Sequence, residues 1–298
     1  NPNDLMGDSA EETWANLQEQ EGQPLVNHAG AETLPPGSIF KIITTAAGLN
    51  NGFDPSSTLT GSNVITLPDT VTELTNYANQ KCNGQDAVTL QTAFALSCNT
   101  AFVEMSEQLG ADELRKYAKA FGVGENYDLG VSTSAGTLGD LPDGSATAQS
   151  VIGQRDVTMT ALQAAVMAGT VANKGTRMQP YLVNRITDAQ MKDVRTTKPK
   201  KADQAVNEET AATLTDLMYA SERSSWGYDG NGFASKTGTA EHGEGLAPHV
   251  WYVAFDPERD IAVGVVVKNG GNLGESATGG KVSGPIGRAI LRAYQGEQ

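Results

Sequence analysis

The feature that most constrains this chain is a lysine inside an apolar helical run. Pro35-Pro36-Gly37 brings the backbone to a helix start, Ser38 sits in the opening turn, and Ile39-Phe40-Lys41 leads into Ile42-Ile43-Thr44-Thr45-Ala46-Ala47. A helix this apolar all round belongs in an interior, and a lysine there needs a purpose. Ser38 and Lys41 are three apart, hence on one helix face with Cβ atoms about 5–6 Å apart. Burial removes the solvation an ammonium needs and lowers its pKa. A neutral Lys41 can take the Ser38 proton, while the helix N-terminus favours the anion that forms. Ser-x-x-Lys alone arises about once by chance in a chain of this length, so the pattern needs company.

The whole chain sets bounds. Its 298 residues can bury a large core, as one big domain or a domain with a sizeable insertion. A net charge of −14 argues against nucleic acid or an anionic membrane surface as partner. No apolar stretch reaches bilayer-spanning length, and no signal peptide opens the chain. The abrupt start, Asn1-Pro2-Asn3-Asp4, reads as a cut edge. Two cysteines and three scattered histidines (His28, His242, His249) offer no metal-ligand spacing, so neither a metal nor a cofactor is expected.

Residues 1–34 are polar, with one helical stretch from Glu11 to Gln20. The Ser38 helix stops at Asn50-Asn51-Gly52. Residues 53–88 read as loops and short strands. Helical patterns then run from Val88 to Leu96, from Phe102 to a stop at Gly110, and from a cap at Asp112 to Phe121. Small residues over 122–150 predict an exposed loop, and Thr158–Ala172 an apolar helix. Tyr181-Leu182-Val183 reads as a strand, Lys198-Pro199-Lys200-Lys201 as solvated surface, and Glu208–Ser221 as an amphipathic helix. Three strand-like runs follow, Phe233–Glu241, His249–Phe255 and Ile261–Lys268, and Lys281–Tyr294 closes as a helix. The order predicts an α+β fold: an antiparallel sheet flanked by helices, with a largely helical lobe, about residues 53–157, inserted between the Ser38 helix and the sheet.

Two further motifs join the first. Ser97-Cys98-Asn99 falls at a junction between helical patterns, where a loop tip can point side chains into a cleft. Lys236-Thr237-Gly238-Thr239 lies on the first tail strand, whose alternation puts Lys236 and Gly238 on one face and Thr237 and Thr239 on the other. Gly238 lets another backbone approach closely. Each pattern occurs once, in this order, a coincidence at the level of a few per cent at average composition. Together they resemble the penicillin-binding proteins, the serine DD-transpeptidases that cross-link peptidoglycan. The resemblance covers nearly the whole chain. It includes Asn1-Pro2-Asn3 as the end of a first sheet strand, Ile152-Gly153-Gln154 with Thr160-Ala161-Leu162-Gln163 ahead of a core helix, and His249–Phe255 as the next strand. Ser-Cys-Asn at the second motif and Lys-Thr-Gly-Thr-Ala-Glu-His at the third are most similar to monofunctional actinobacterial members.

The resemblance implies roles. Ser38 would be the acylated nucleophile and Lys41 its base. Ser97 would relay a proton to the leaving amine, and Asn99 would hold Lys41 and the substrate peptide bond. Lys236 would keep the site electropositive, Thr237 and Thr239 would bind a substrate carboxylate beside Gly238, and the backbone N–H groups of Ser38 and Thr239 would form the oxyanion hole. Expected partners are peptidoglycan stem peptides ending in D-Ala-D-Ala, β-lactams, and cell-wall synthesis or division proteins. The family's membrane anchor and N-terminal domain would lie outside this sequence, and the site of action would be extracytoplasmic. In that oxidising compartment Cys82 and Cys98 would form a disulfide.

Rival readings are weaker. A Ser-His-Asp hydrolase lacks its Gly-x-Ser-x-Gly elbow here, and His242 reads as an exposed loop residue. Gly279-Gly280-Lys281 lacks the spacing and hydroxyl of a phosphate loop. A class A β-lactamase would need a Glu-x-x-x-Asn between Asn99 and Lys236, and none occurs. A DD-carboxypeptidase and a non-catalytic β-lactam sensor stay open as alternatives.

Overall fold

The structure, a computed structural model, describes residues 2–243 and 245–296. Pro2–Leu5 forms a 3-10 turn in place of the expected strand end, and Asn1 lies outside the described residues. Helix α1 (Ala10–Glu19) follows on the surface with no buried residue. The Ser38 segment is split: Gly37–Phe40 is a 3-10 turn, and α2 (Lys41–Leu49) starts at the lysine itself. Its residues from Lys41 to Gly48 are all buried, as the lack of a polar face requires.

Short elements come next: β1 (Thr58–Thr60), the hairpin of β2 (Val64–Thr66) and β3 (Glu73–Thr75), and β4 (Ala87–Thr89), which pairs back with β1. Then α3 (Leu90–Ala95) and α4 (Asn99–Ala120) meet at the second motif. Gly110 (φ 69°, ψ 172°) stops the first helical stretch of α4, as expected, and a second stretch follows it directly; Asp112 pairs with Arg115 at 2.9 Å instead of capping that second stretch.

Residues 122–150 match the expected loop only as far as Asp143, where the chain is irregular and mostly exposed or half-buried; the remainder is helical, and buried anchors punctuate the segment. Tyr127, Leu141, Ala146 and Ala148 are buried, and Asp143 caps α5 (Gly144–Ser150) by accepting from Ala146 N at 2.7 Å. The small residues that look loop-like let α5 pack closely on α4. Helix α6 (Ala161–Ala172) opens with a capping box, in which Thr160 and Gln163 exchange two 3.0 Å bonds.

After β5 (Thr176–Met178), Tyr181-Leu182-Val183 is exposed and outside any strand. Three apolar residues in a row define no single face, and the neighbouring Thr197 meets the Val183 carbonyl through its side-chain hydroxyl rather than through a backbone ladder. The strand begins later, as β6 (Arg185–Thr187) against β7 (Asp193–Thr196), and β8 (Lys201–Gln204) returns to β5. Helix α7 (Glu208–Ser224) starts on an Asn207 cap, and its side chain accepts from Thr210 N at 2.8 Å.

The tail runs form the sheet: β9 (Ala234–Ala240), β10 (His249–Asp256) and β11 (Ile261–Val267), antiparallel in the order β11-β10-β9. Every residue of the central β10 is buried, which explains its unbroken apolar pattern. Helix α8 (Ser283–Gly296) covers one face, with Gly287 against the Tyr252 ring; α6 covers the other, with its backbone against Gly264. α7 packs on β9. His242 is half-buried, not exposed: its ring stacks on His249 with centroids 3.9 Å apart, and its Nε2 meets the Ala247 carbonyl at 2.9 Å.

Candidate active site

Two glycines bring the first and third motifs together. A Cβ on Gly37 would lie 2.8 Å from the Thr239 carbonyl oxygen, and one on Gly238 would lie 2.8 Å from the Pro36 carbonyl oxygen. Gly37 also has φ +53°, which costs other residues strain. Only bare backbone on both sides lets the Ser38 turn press on β9. The Trp251 indole N–H holds the turn's entrance by donating to the Pro35 carbonyl at 2.8 Å. Ser38 itself is half-buried at the start of this turn.

The second motif is held by the end of α3. Ser97 N donates to the Phe94 carbonyl (3.2 Å) and Cys98 N to the Ala93 carbonyl (2.9 Å), the bonding pattern of a Schellman helix end. The residue at the turning point normally is glycine, because φ there is positive. Here it is Ser97, at φ +61°, a conformation costing of order 1–3 kcal/mol. The turn aims the Ser97 carbonyl at Lys41. Cys98 caps α4 with no side-chain bond; its sulfur is joined to Cys82 in a disulfide with Cα atoms 5.7 Å apart.

Lys41 is fully buried. Its Nζ donates to the Ser97 carbonyl (2.7 Å), to Asn99 Oδ1 (2.8 Å) and towards Ser97 Oγ (3.3 Å), with the Phe102 ring 5.2 Å away. Burial, and secondarily the nearby charge of Lys236, holds its pKa well below the usual amine range. Lys236 is equally buried, bonds the Thr237 carbonyl at 3.1 Å, and is lowered by burial to about 7. Neither lysine has an ion pair among the described residues. A neutral Lys41 has two N–H groups, which the Ser97 and Asn99 carbonyl oxygens, incapable of donating, can take up. Its lone pair is then left for a hydroxyl proton.

Thr237 and Thr239 lie half-buried on the other face of β9, where register pairs them with Tyr252 and Val250. Thr239 Oγ1 accepts from Gly279 N at 3.4 Å, and Gly279 has no room for a Cβ against the Trp251 carbonyl. The sequence reading missed two supports. One is the hydrogen-bonding around Asn76 beneath the second motif; the other is Glu222, which bonds Ser235 next to Lys236. Neither has a local signal, since their partners lie elsewhere in the chain.

A half-buried serine and a fully buried lysine on a helix start, a Ser-x-Asn tip and a Lys-Thr-Gly edge strand, gathered on an α+β scaffold, make up the motif set of the penicillin-recognising proteins. A profile of the penicillin binding protein transpeptidase domain matches residues 3–292, and the chain belongs to that family. It is 44% identical over 291 residues to the peptidoglycan D,D-transpeptidase PbpA of Mycolicibacterium smegmatis, covering 95% of this chain and 59% of that protein. It is 41% identical to PbpA of Mycobacterium tuberculosis, covering 96% of this chain and 60% of the relative. Penicillin-binding protein A from M. tuberculosis, solved as a ceftriaxone acyl-enzyme complex, superposes with a TM-score of 0.91 at 41% identity, over 95% of this chain and 66% of that one. The chain thus spans about three fifths of the length of the curated relatives it matches.

Proposed function

We propose that this chain is the catalytic domain of a peptidoglycan D,D-transpeptidase, with the segment of about 53–157 inserted as one wall of its cleft. The observation that carries the reading is Lys41: a buried amine one turn from Ser38, bonded to carbonyl acceptors and, among the described residues, to no carboxylate. Ser38 Oγ attacks the carbonyl of the D-Ala-D-Ala bond, and its proton passes to Lys41. The oxyanion is held by the Ser38 and Thr239 backbone N–H groups. The terminal D-Ala leaves as an amine, taking a proton through Ser97, while Asn99 holds the substrate amide. Lys236, Thr237 and Thr239 receive the substrate carboxylate beside Gly238. An acceptor amine from a second stem peptide then displaces Ser38 and completes the cross-link. β9 is an edge strand, open to an extended peptide.

The same chemistry makes the chain a target of β-lactams, as the acyl-enzyme of the M. tuberculosis relative supports. Action would be extracytoplasmic, where peptidoglycan is cross-linked, with membrane anchoring and contacts to cell-wall or division proteins belonging to the longer polypeptide. Among the described residues no helix is long and apolar enough to cross a membrane. Intact-protein mass spectrometry after exposure to penicillin G tests the reading. One adduct persisting for hours is expected on the wild type and none on Ser38→Ala. Stoichiometric labelling of the alanine variant, or loss of the adduct within seconds, overturns it.

A further inference from the structure

The N-terminus of α4 carries Asn99, yet its own N-cap residue supplies no acceptor. The first backbone N–H groups of a helix need partners from outside the helix. Asn76, 24 residues upstream and 7% exposed, provides one: its Oδ1 accepts from Thr100 N at 3.1 Å. Its Nδ2 shares its hydrogens among the Ser62 carbonyl (2.9 Å), the Gln80 carbonyl (3.2 Å) and Thr100 Oγ1 (3.1 Å). Thr100 Oγ1 in turn donates to the Ser62 carbonyl at 2.8 Å. The residue before it matters too. The Thr75 carbonyl accepts from Asn99 Nδ2 at 3.2 Å, which fixes the amide with Oδ1 facing Lys41.

We propose that Asn76 is a positioning residue for the Lys41–Asn99 pair, capping α4 from a distant segment and orienting the Asn99 amide through Thr75. It touches neither substrate nor Lys41 and acts through Asn99. Two contacts, Asn76 Oδ1 with Thr100 N and the adjacent Thr75 carbonyl with Asn99 Nδ2, reach neighbouring residues in the first turn of α4. The proposal rests on the reading of Lys41 as base.

The test is the pH profile of acylation by a chromogenic β-lactam. Among the described residues the charge acting on Lys41 is that of Lys236, itself lowered to about 7, so the acid limb reports the coupled pair, and its displacement between variants is read with Lys236 left in place. In Asn76→Ala a displaced Asn99 removes an acceptor that favours the ammonium. The acid limb should therefore move down by about half a pH unit or more, and the plateau rate should fall roughly tenfold. Thr100→Val, which keeps shape but loses the hydroxyl bridge, should show a smaller shift of the same sign and covers the case that Asn76→Ala does not fold. Asn50→Ala, which loses a comparable side-chain network at the far end of α2, should leave the limb in place. A limb unmoved in the Asn76 and Thr100 variants, or moved equally in the Asn50 variant, overturns the proposal. A wild type that takes up no β-lactam would instead overturn the underlying reading.

Discussion

Ser235 and Lys236 are neighbours in sequence and open onto two differently built interiors. On the Lys236 face, two buried lysines stand near each other, and among the described residues neither has a carboxylate partner. On the Ser235 face, buried Glu222 meets buried Arg288 at 2.6 Å, with Asn231 at 2.9 Å and Tyr252 Oη at 3.0 Å donating to the same carboxylate, and Ser235 Oγ donating as well. Both faces bury charge-bearing groups equally deeply, and the outcomes are opposite. Where the counter-charge is supplied, the Glu222–Arg288 pair and its donors tie α7, β9, β10 and α8 together. Where it is withheld, burial suppresses the charge and leaves a base. A carboxylate beside one set of buried cations, and none paired with the other among the described residues, separates paired charge from suppressed charge.

Removing the amine is the strongest way to break the contrast. Lys41→Met should lower β-lactam acylation by about 10²–10⁴-fold, while the melting temperature stays level or rises, because no desolvated amine remains. A melting temperature that collapses with activity would make Lys41 a structural group instead. Glu222→Gln should do the reverse, lowering unfolding free energy in urea by about 3–5 kcal/mol by stranding the Arg288 charge. Acylation per folded molecule should fall far less. A stable variant would show that the Ser235 face is not held by its ion pair.

The smallest effect sharpens the electrostatics. Lys236→Met removes a positive neighbour that lowers Lys41, so the acid limb of acylation should move to higher pH, by about one unit. Stability should respond too. The folded Lys236 titrates near 7 and an unfolded lysine near 10.5. Between those values the unfolded chain holds a proton the folded chain lacks, so wild-type stability rises with pH through that window. The methionine variant should show a shallower rise, keeping only the share that Lys41 contributes, as urea unfolding at a series of pH values would show.

What the sequence made legible was whatever a local pattern carries. Lys41 stands out because its neighbours are apolar, and β9 to β11 because their runs are bounded by turns. The two faces of β9 followed from alternation alone. The Ser235 face was invisible, since Glu222 and Arg288 are 66 residues apart and nothing in either neighbourhood names the other. Asn76 sits in a Thr- and Asn-rich stretch that reads as loop, and only the fold sets it beneath α4. Helix α5 was masked by the small residues that its packing on α4 needs, and the His242 stack by a partner across a loop.

Ser97 has a consequence for how such a domain can change over time. A glycine at φ +61° would relieve the turn, and the α3 end would accept it readily. Thermal robustness, selected by itself, therefore pushes this position towards glycine and away from the hydroxyl proposed above as the relay of the leaving proton. The serine persists only under selection for turnover, so the stability–activity trade-off of this fold is concentrated in one residue. Laboratory evolution for heat resistance without a cross-linking requirement should erode the second motif first.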